Sequence, residues 1–190
     1  MNLILFGPPG SGKGTQAKNL EKKLNNFQIS TGEMLRDEIK KDTEIGKKII
    51  SNMNEGKFVN DEIVNKLIKK VISDPQKKDK LIFDGYPRTL EQAKNLDLLL
   101  TDSNQKIDFI FFLNVNKETI IKRIERRKIL EKRADDDLST ILKRYDFYMK
   151  TTKPVLDYYS NKSNFKEING DLKIEEITKE IAGLLESISH

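Results

Sequence analysis

Residues 7–15 read Gly-Pro-Pro-Gly-Ser-Gly-Lys-Gly-Thr, and this stretch constrains the fold more than any other. It follows an apolar run, Leu3-Ile4-Leu5-Phe6, that reads as a fully buried strand. It precedes Ala17, Leu20 and Leu24, whose spacing fits a helix opening at about Gly12. Strand, glycine-rich turn and helix are the context a phosphate-binding loop requires. Glycines let the backbone turn successive N–H groups inward as an anion nest, at the positive end of the helix dipole. Lys13 then adds a mobile positive charge for the outer phosphates. Gly7, Gly12 and Lys13 keep the Walker A spacing, with one departure: Gly14 follows the lysine and the hydroxyl comes at Thr15.

The rest of the chain alternates short apolar runs with amphipathic ones. Phe27-Gln28-Ile29 reads as a second strand, and Ser30-Thr31-Gly32-Glu33 as a capping box opening a helix with Met34, Leu35 and Ile39 inside. An amphipathic segment carrying Ile45, Ile49, Ile50 and Met53 ends at Gly56, and Asn60-Asp61 begins another helix. Leu81-Ile82-Phe83 is a buried strand ending at Asp84, before Gly85-Tyr86-Pro87-Arg88. Thr89 to Gln92 forms a second capping box, Phe109 to Leu113 a strand, and Asn116 a cap. A long helix follows Asp137, with Pro154 expected to restart or kink it. Phe165 to Ile168 is a last strand, Asn169-Gly170 a turn, and a terminal amphipathic helix follows. The pattern predicts an α/β fold around a parallel sheet, with ligands at the carboxyl ends of its strands.

Composition narrows the chemistry. A chain of 190 residues suggests one domain with small inserts. Lys and Arg number 35 against 30 Asp and Glu, a net charge of +5 that suits polyanions such as nucleotides or RNA. There is no cysteine, and the one histidine is His190, so thiol, disulfide and histidine acid–base chemistry are not expected. No membrane-length apolar run or signal-like opening occurs, and a cytoplasmic protein is expected.

Two further groups carry chemistry. Asp84 ends an apolar strand, where a Walker B acid would stand near a phosphate-bound Mg2+. Arg123, Arg127, Arg133 and Arg144 surround one segment beside Asp135-Asp136-Asp137, as in a charged flap that folds over a polyphosphate. A solvated, ion-paired helix face is the bland alternative for any one of these arginines.

With these motifs in place, the chain resembles the adenylate kinases over nearly its whole length. The loop at residues 7–15, including Gly14, is similar to that family's phosphate loop. Ser30-Thr-Gly-Glu-Met-Leu-Arg36 resembles its monophosphate-binding segment, and Phe83-Asp-Gly-Tyr-Pro-Arg-Thr89 with Gln92 its most distinctive signature. Arg127, Arg133, Asp135-Asp136 and Arg144 resemble the lid of its short-lid members, and Asn169-Gly170 to Ile174 the adenine-contacting turn. The resemblance implies a P-loop NTPase-like three-layer fold with a central five-stranded parallel sheet, a monophosphate-binding insert at residues 30–59 and a short lid at 126–136. It implies reversible transfer from MgATP to AMP, giving two ADP, with Mg2+ and no zinc, by a monomer without nucleic-acid or membrane partners.

By position, Gly10, Ser11, Gly12, Lys13, Gly14 and Thr15, with Arg123, Arg127 and the Leu172 backbone, would hold ATP. Thr31, Arg36, Lys57, Phe58, Val59, Gly85, Tyr86, Pro87, Arg88 and Gln92, with Arg133 and Arg144, would hold AMP. Lys13, Arg88, Arg127, Arg133 and Arg144 would act on the transferring group, and Asp84 would hold the metal through water. Two departures from the family pattern stand at Asn60, usually proline, and at Glu131-Lys132-Arg133, usually Ser-Gly-Arg. Gln92 leaves two possibilities open: its side chain could complete the helix cap, or its amide could pair with adenine. A UMP/CMP kinase shares the loop and lid, but resembles this chain less at Thr31 and at residues 89–92. Asn116-Lys117-Glu118-Thr119 weakly echoes a guanine-reading motif of GTPase switches but lacks its carboxylate. An RNA-binding protein is disfavoured by the 7% aromatic content and the lack of any RNA-recognition motif.

Overall fold

The computed structural model describes residues 1–55, 57, 59–131 and 138–187. The five expected strands are present: β1 (Leu3–Phe6), β2 (Phe27–Ser30), β3 (Leu81–Asp84), β4 (Phe109–Asn114) and β5 (Phe165–Asn169). They form one sheet in the order β2-β3-β1-β4-β5, and every pairing is parallel. The first strand is therefore central. The chain winds to one side of it through β2 and β3, then to the other through β4 and β5. Such a reversal opens a crevice at the carboxyl ends of the strands.

Eight helices flank this sheet among the described residues: α1 (Lys13–Leu24), α2 (Thr31–Lys40), α3 (Glu44–Asn54), α4 (Asp61–Ile72), α5 (Leu90–Asp102), α6 (Lys117–Glu131), α7 (Leu138–Ser160) and α8 (Ile174–Glu186). The continuous apolar strands arise because both faces are covered. Ile4, Phe6, Leu81, Phe83 and Ile110 pack on the side of α2 to α5 and the end of α7. Leu3, Leu5, Ile82, Phe109, Phe111 and Leu113 alternate to the other side, against α1, α6 and α8. This is the three-layer α/β architecture of the P-loop NTPase-like class.

Caps agree with the sequence in most places. Ser30 Oγ accepts from Glu33 N at 3.3 Å, Thr89 Oγ1 from Gln92 N at 3.1 Å, and Asn116 Oδ1 from Thr119 N at 2.8 Å. Asn60 Oδ1 accepts from Glu62 N at 2.7 Å. The helix does not restart at Pro154: α7 runs through it to Ser160, and the following turn seats Val155 and Tyr159 in the core. Gly56, expected to end α3, lies outside the described residues. Among the described residues no helix is long and apolar enough to cross a membrane.

Candidate active site

The strand ends deliver the site. Ser30 and Asp84 stand opposite each other at the ends of β2 and β3, and Leu5 pairs with Asp84 one residue before β1 ends. The loop after β1 turns directly into α1. Gly12 stands at the N-cap with φ 95°, in a left-handed conformation that a side chain would strain, and makes no side-chain cap. Ser11 N donates to Pro8 O at 3.0 Å, tightening the turn. Ser11 is fully buried, and its Oγ has no hydrogen-bond partner among the described residues. Lys13 Nζ donates to Pro8 O at 3.1 Å. Burial lowers its pKa to about 8; nearby Asp84 opposes the shift, while Arg88 and Arg127 add to it.

Across the cleft, the turn after β3 is fixed by its own carbonyl. Gly85 O accepts from Thr31 Oγ1 at 2.8 Å and from Arg88 Nε at 2.7 Å. Gly85 has φ 75°, and a Cβ there would come 3.0 Å from Arg88 Nη2. The Tyr86–Pro87 peptide is cis. Tyr86 is buried, its hydroxyl donating to Asn65 Oδ1 at 2.8 Å and standing 3.2 Å from Gln92 O; burial pushes its pKa up to about 12. Val59 is buried, whereas Lys57 pairs with Glu55 at 2.6 Å on the surface. Phe58 and Arg133 lie outside the described residues.

The arginines converge. Arg88 is lowered to about 10, first by burial and then by the Arg144 charge, with Asp84 opposing and Arg36 adding. Lys13, Arg36, Arg88, Arg127 and Arg144 line one cleft of about 820 Å³ together with Gly10, Gly12, Gly14, Thr15 and Asp84. Arg144 Nη2 also reaches Met53 O, at 3.5 Å. Cations that outnumber the acids Glu33 and Asp84 around one cleft make a site whose charge a polyanion would complete.

Two predicted residues are placed in unexpected company. Arg123 donates from Nη1 to Ser11 O at 3.0 Å and from Nη2 to Leu172 O at 3.2 Å. It thus ties the phosphate loop to the turn after β5, and partial burial lowers its pKa against the pull of Asp171. Gln92 is 2% exposed and does not complete a capping box: its Oε1 accepts from Arg88 N at 2.7 Å, and its Nε2 donates to Asp61 Oδ1 at 2.5 Å. It lines a smaller hollow of about 20 Å³ with Thr31, Leu35, Val59, Val64, Gly85 and Arg88.

Sequence reasoning missed Gln28, Asp61 and Tyr148 as neighbours of the site. Gln28 Nε2 donates to Asp84 Oδ2 at 2.9 Å; its only signal was a polar residue inside a short apolar strand. Tyr148 lines the cleft, buried, and burial pushes its pKa upward against the opposing pull of the Gly7 backbone and the Arg88 charge. The surroundings of Asp84 fit a metal carried by a polyphosphate. The carboxylate is 8% exposed and faces the loop, and a Cβ on Gly14 would touch Oδ2 at 3.4 Å, so the glycine keeps that space clear. Oxygen donors of this kind suit Mg2+.

Comparison with known proteins bears on the same residues. A family profile described as Adenylate kinase matches residues 5–164. The Adenylate kinase of Pelagibacter ubique is 46% identical, with 97% of this chain and 99% of that protein covered. That alignment runs over 211 positions, more than the 190 residues here, so that protein carries segments with no counterpart in this one. The Adenylate kinase of Archaeoglobus fulgidus is 39% identical over 99% of both chains. That of Porphyromonas gingivalis is 38% identical over 186 positions, covering 98% of this chain and 96% of its own. The chain belongs to the adenylate kinase family.

Proposed function

We infer that this phosphotransferase moves the terminal phosphoryl group of ATP to AMP, reversibly, to give two ADP. The observation that carries this reading is the joining of two anion-binding ends by a run of cations. The glycine loop and Lys13 line the cleft from one side and Gly85 and Arg88 from the turn after β3, and Arg36, Arg127 and Arg144 line the same cleft. Phosphoryl transfer is catalysed mainly by positioning and by neutralising charge on the transferring group, which is what such a cleft supplies.

In this reading residues 10–15 cradle the ATP phosphates, with Arg123 and the Leu172 backbone beside its base. Lys13 leaves Pro8 O to follow the transferred group, and Arg127 meets ATP. Arg36, Arg88, Arg144 and Arg133 meet the AMP-side phosphates. Thr31, residues 57–59 and 85–87, and Gln92 hold the rest of AMP. Asp84, oriented by Gln28, would hold Mg2+ through water, and the ion would supply positive charge to the phosphates. Residues 30–59 and 126–136 act as inserts that exclude water from the reacting phosphates. We place this enzyme in the cytoplasm as a monomer.

A coupled assay with ATP and each of AMP, UMP, CMP and GMP tests the assignment. AMP should be turned over fastest; faster turnover of UMP or CMP would move the chain to the pyrimidine kinases. The lowered Lys13 pKa adds a pH signature. In the free enzyme Lys13 loses its proton near pH 8, so kcat/KM for ATP should fall above about pH 8. Bound phosphates hold that proton, so kcat should persist to higher pH. The same shift has a consequence for stability. Between pH 8 and the ordinary value of 10.5 the unfolded chain keeps a proton that the folded one has lost. This group alone therefore makes ligand-free stability rise with pH in that window. A flat kcat/KM up to pH 10 would mean that Lys13 is not the titrating cation.

A further inference from the structure

We propose that Asp61 sets the base preference of the monophosphate site by fixing which way the Gln92 amide faces. The inference rests on the reading above, in which Gln92 meets the base of AMP. A glutamine amide is nearly symmetric in shape, so on its own it can present either order of donor and acceptor. Here its neighbours leave no choice. The Asp61 carboxylate only accepts, and it takes Gln92 Nε2 at 2.5 Å. The Arg88 peptide N–H only donates, and it gives to Gln92 Oε1 at 2.7 Å. Turning the amide over would set its oxygen against a carboxylate and its NH2 against an N–H. Because Gln92 is 2% exposed, water could not repair either mismatch.

Asp61 is itself held. Its second oxygen accepts from Thr89 Oγ1 at 2.8 Å, and it stands in the first turn of α4, where the helix dipole favours a negative charge. After these bonds the amide keeps one lone pair on Oε1 and one N–H on Nε2. That pair is an acceptor beside a donor, on a side chain that lines the hollow between Thr31, Val59 and Gly85. An adenine edge matches it: N6–H donates to Oε1 and N1 accepts from Nε2. A 6-oxopurine presents the reverse, with O6 accepting and N1–H donating, and would need the amide turned. The hollow is about 20 Å³, too small for a purine, so a base must open it, but neither Gln92 bond need break on entry. Asp61 is thus a positioning residue that acts through Gln92.

Inosine monophosphate is the probe, because hypoxanthine reverses the edge and adds no 2-amino group. Asp61→Asn keeps the shape but can donate as well as accept, so it removes one of the two constraints. We expect its ratio of AMP to IMP in kcat/KM, and in dissociation constants from calorimetry, to fall by about tenfold or more. Asp61→Glu remains acceptor-only and should keep the ratio even if overall activity drops. A purely structural role would weaken both nucleotides alike, and an unchanged ratio in Asp61→Asn overturns the proposal. Gln92→Leu separates this from failure of the underlying reading. If Gln92→Leu collapses the ratio and Asp61→Asn does not, only the constraint from Asp61 is wrong. If neither moves it, Gln92 does not meet the base and both ideas fall. Should Asp61→Asn not fold, Asp61→Ser removes the same carboxylate with a smaller side chain and carries the same comparison.

Discussion

Lys13→Ala should lower kcat by about a thousandfold while leaving the fold intact. Removing one preorganised donor from a transition state that concentrates charge costs on the order of 3–4 kcal/mol. Lys13 belongs to the loop itself, and in the ligand-free protein its ammonium makes a bond to the Pro8 carbonyl that a water could replace. Burial already disfavours its charge. The variant should therefore melt no lower than the parent, which separates this loss from unfolding. Steady-state rates with ATP and AMP, alongside a thermal melt, decide it. A variant within tenfold of the parent rate would mean that the loop is not the catalytic cradle.

Arg88→Met should abolish most activity, again by about a thousandfold or more, and raise or preserve the melting temperature of the ligand-free protein. Two effects oppose its charge before substrate arrives: burial, and the Arg144 and Arg36 guanidinium groups nearby. Removing a desolvated, crowded cation relieves both. Gly85 O would lose the Arg88 Nε bond at 2.7 Å but keep Thr31 Oγ1 at 2.8 Å. The backbone contacts of Arg88, from N to Gln92 Oε1 and to its O from Thr152 Oγ1 at 3.3 Å, do not depend on the side chain. Activity would thus be exchanged for stability, as at sites that concentrate like charge for a ligand. Turnover within tenfold of the parent, or a melting temperature several degrees lower, would contradict the role assigned to this residue.

The inner strands were legible because a parallel sheet covered on both faces demands uninterrupted apolar runs, as at Leu3–Phe6, Leu81–Phe83 and Phe109–Leu113; the edge strands β2 and β5 show only Phe27, Ile29, Phe165 and Ile168. The strand order was not legible from local pattern. It follows from long-range pairing, such as Leu3 with both Ile82 and Phe109. The phosphate loop and the Asp84 turn announced themselves through glycine spacing. The partners of Gln92 did not: a capping box and an amide held between Asp61 and Arg88 N look alike along the chain, and only tertiary packing decides. Arg123 shows the same limit. Its charge suggested a phosphate contact, whereas its bonds to Ser11 O and Leu172 O depend on how the β5 turn docks. Pro154 is the converse case, where core packing by Val155 and Tyr159 carries the helix past a residue that discourages it.

The central position of β1 also dictates when the protein can first hold a ligand during its own synthesis. Residues 3–15 leave the ribosome well ahead of the strands that flank them: β1 has no parallel neighbour until Leu81–Asp84 has followed it, and only one until Phe109–Asn114 has. At about 5–20 residues per second, that is a wait on the order of ten seconds. Throughout it the nascent chain carries Leu3-Ile4-Leu5-Phe6 with at least one edge open, a segment suited to pairing with the wrong partner or to capture by a holding chaperone. A fragment released before Phe109 would contain every residue of the phosphate loop and still lack the two-sided sheet that shapes it. The loop precedes both strands that flank β1 and becomes a binding site only after Phe109–Asn114 has emerged.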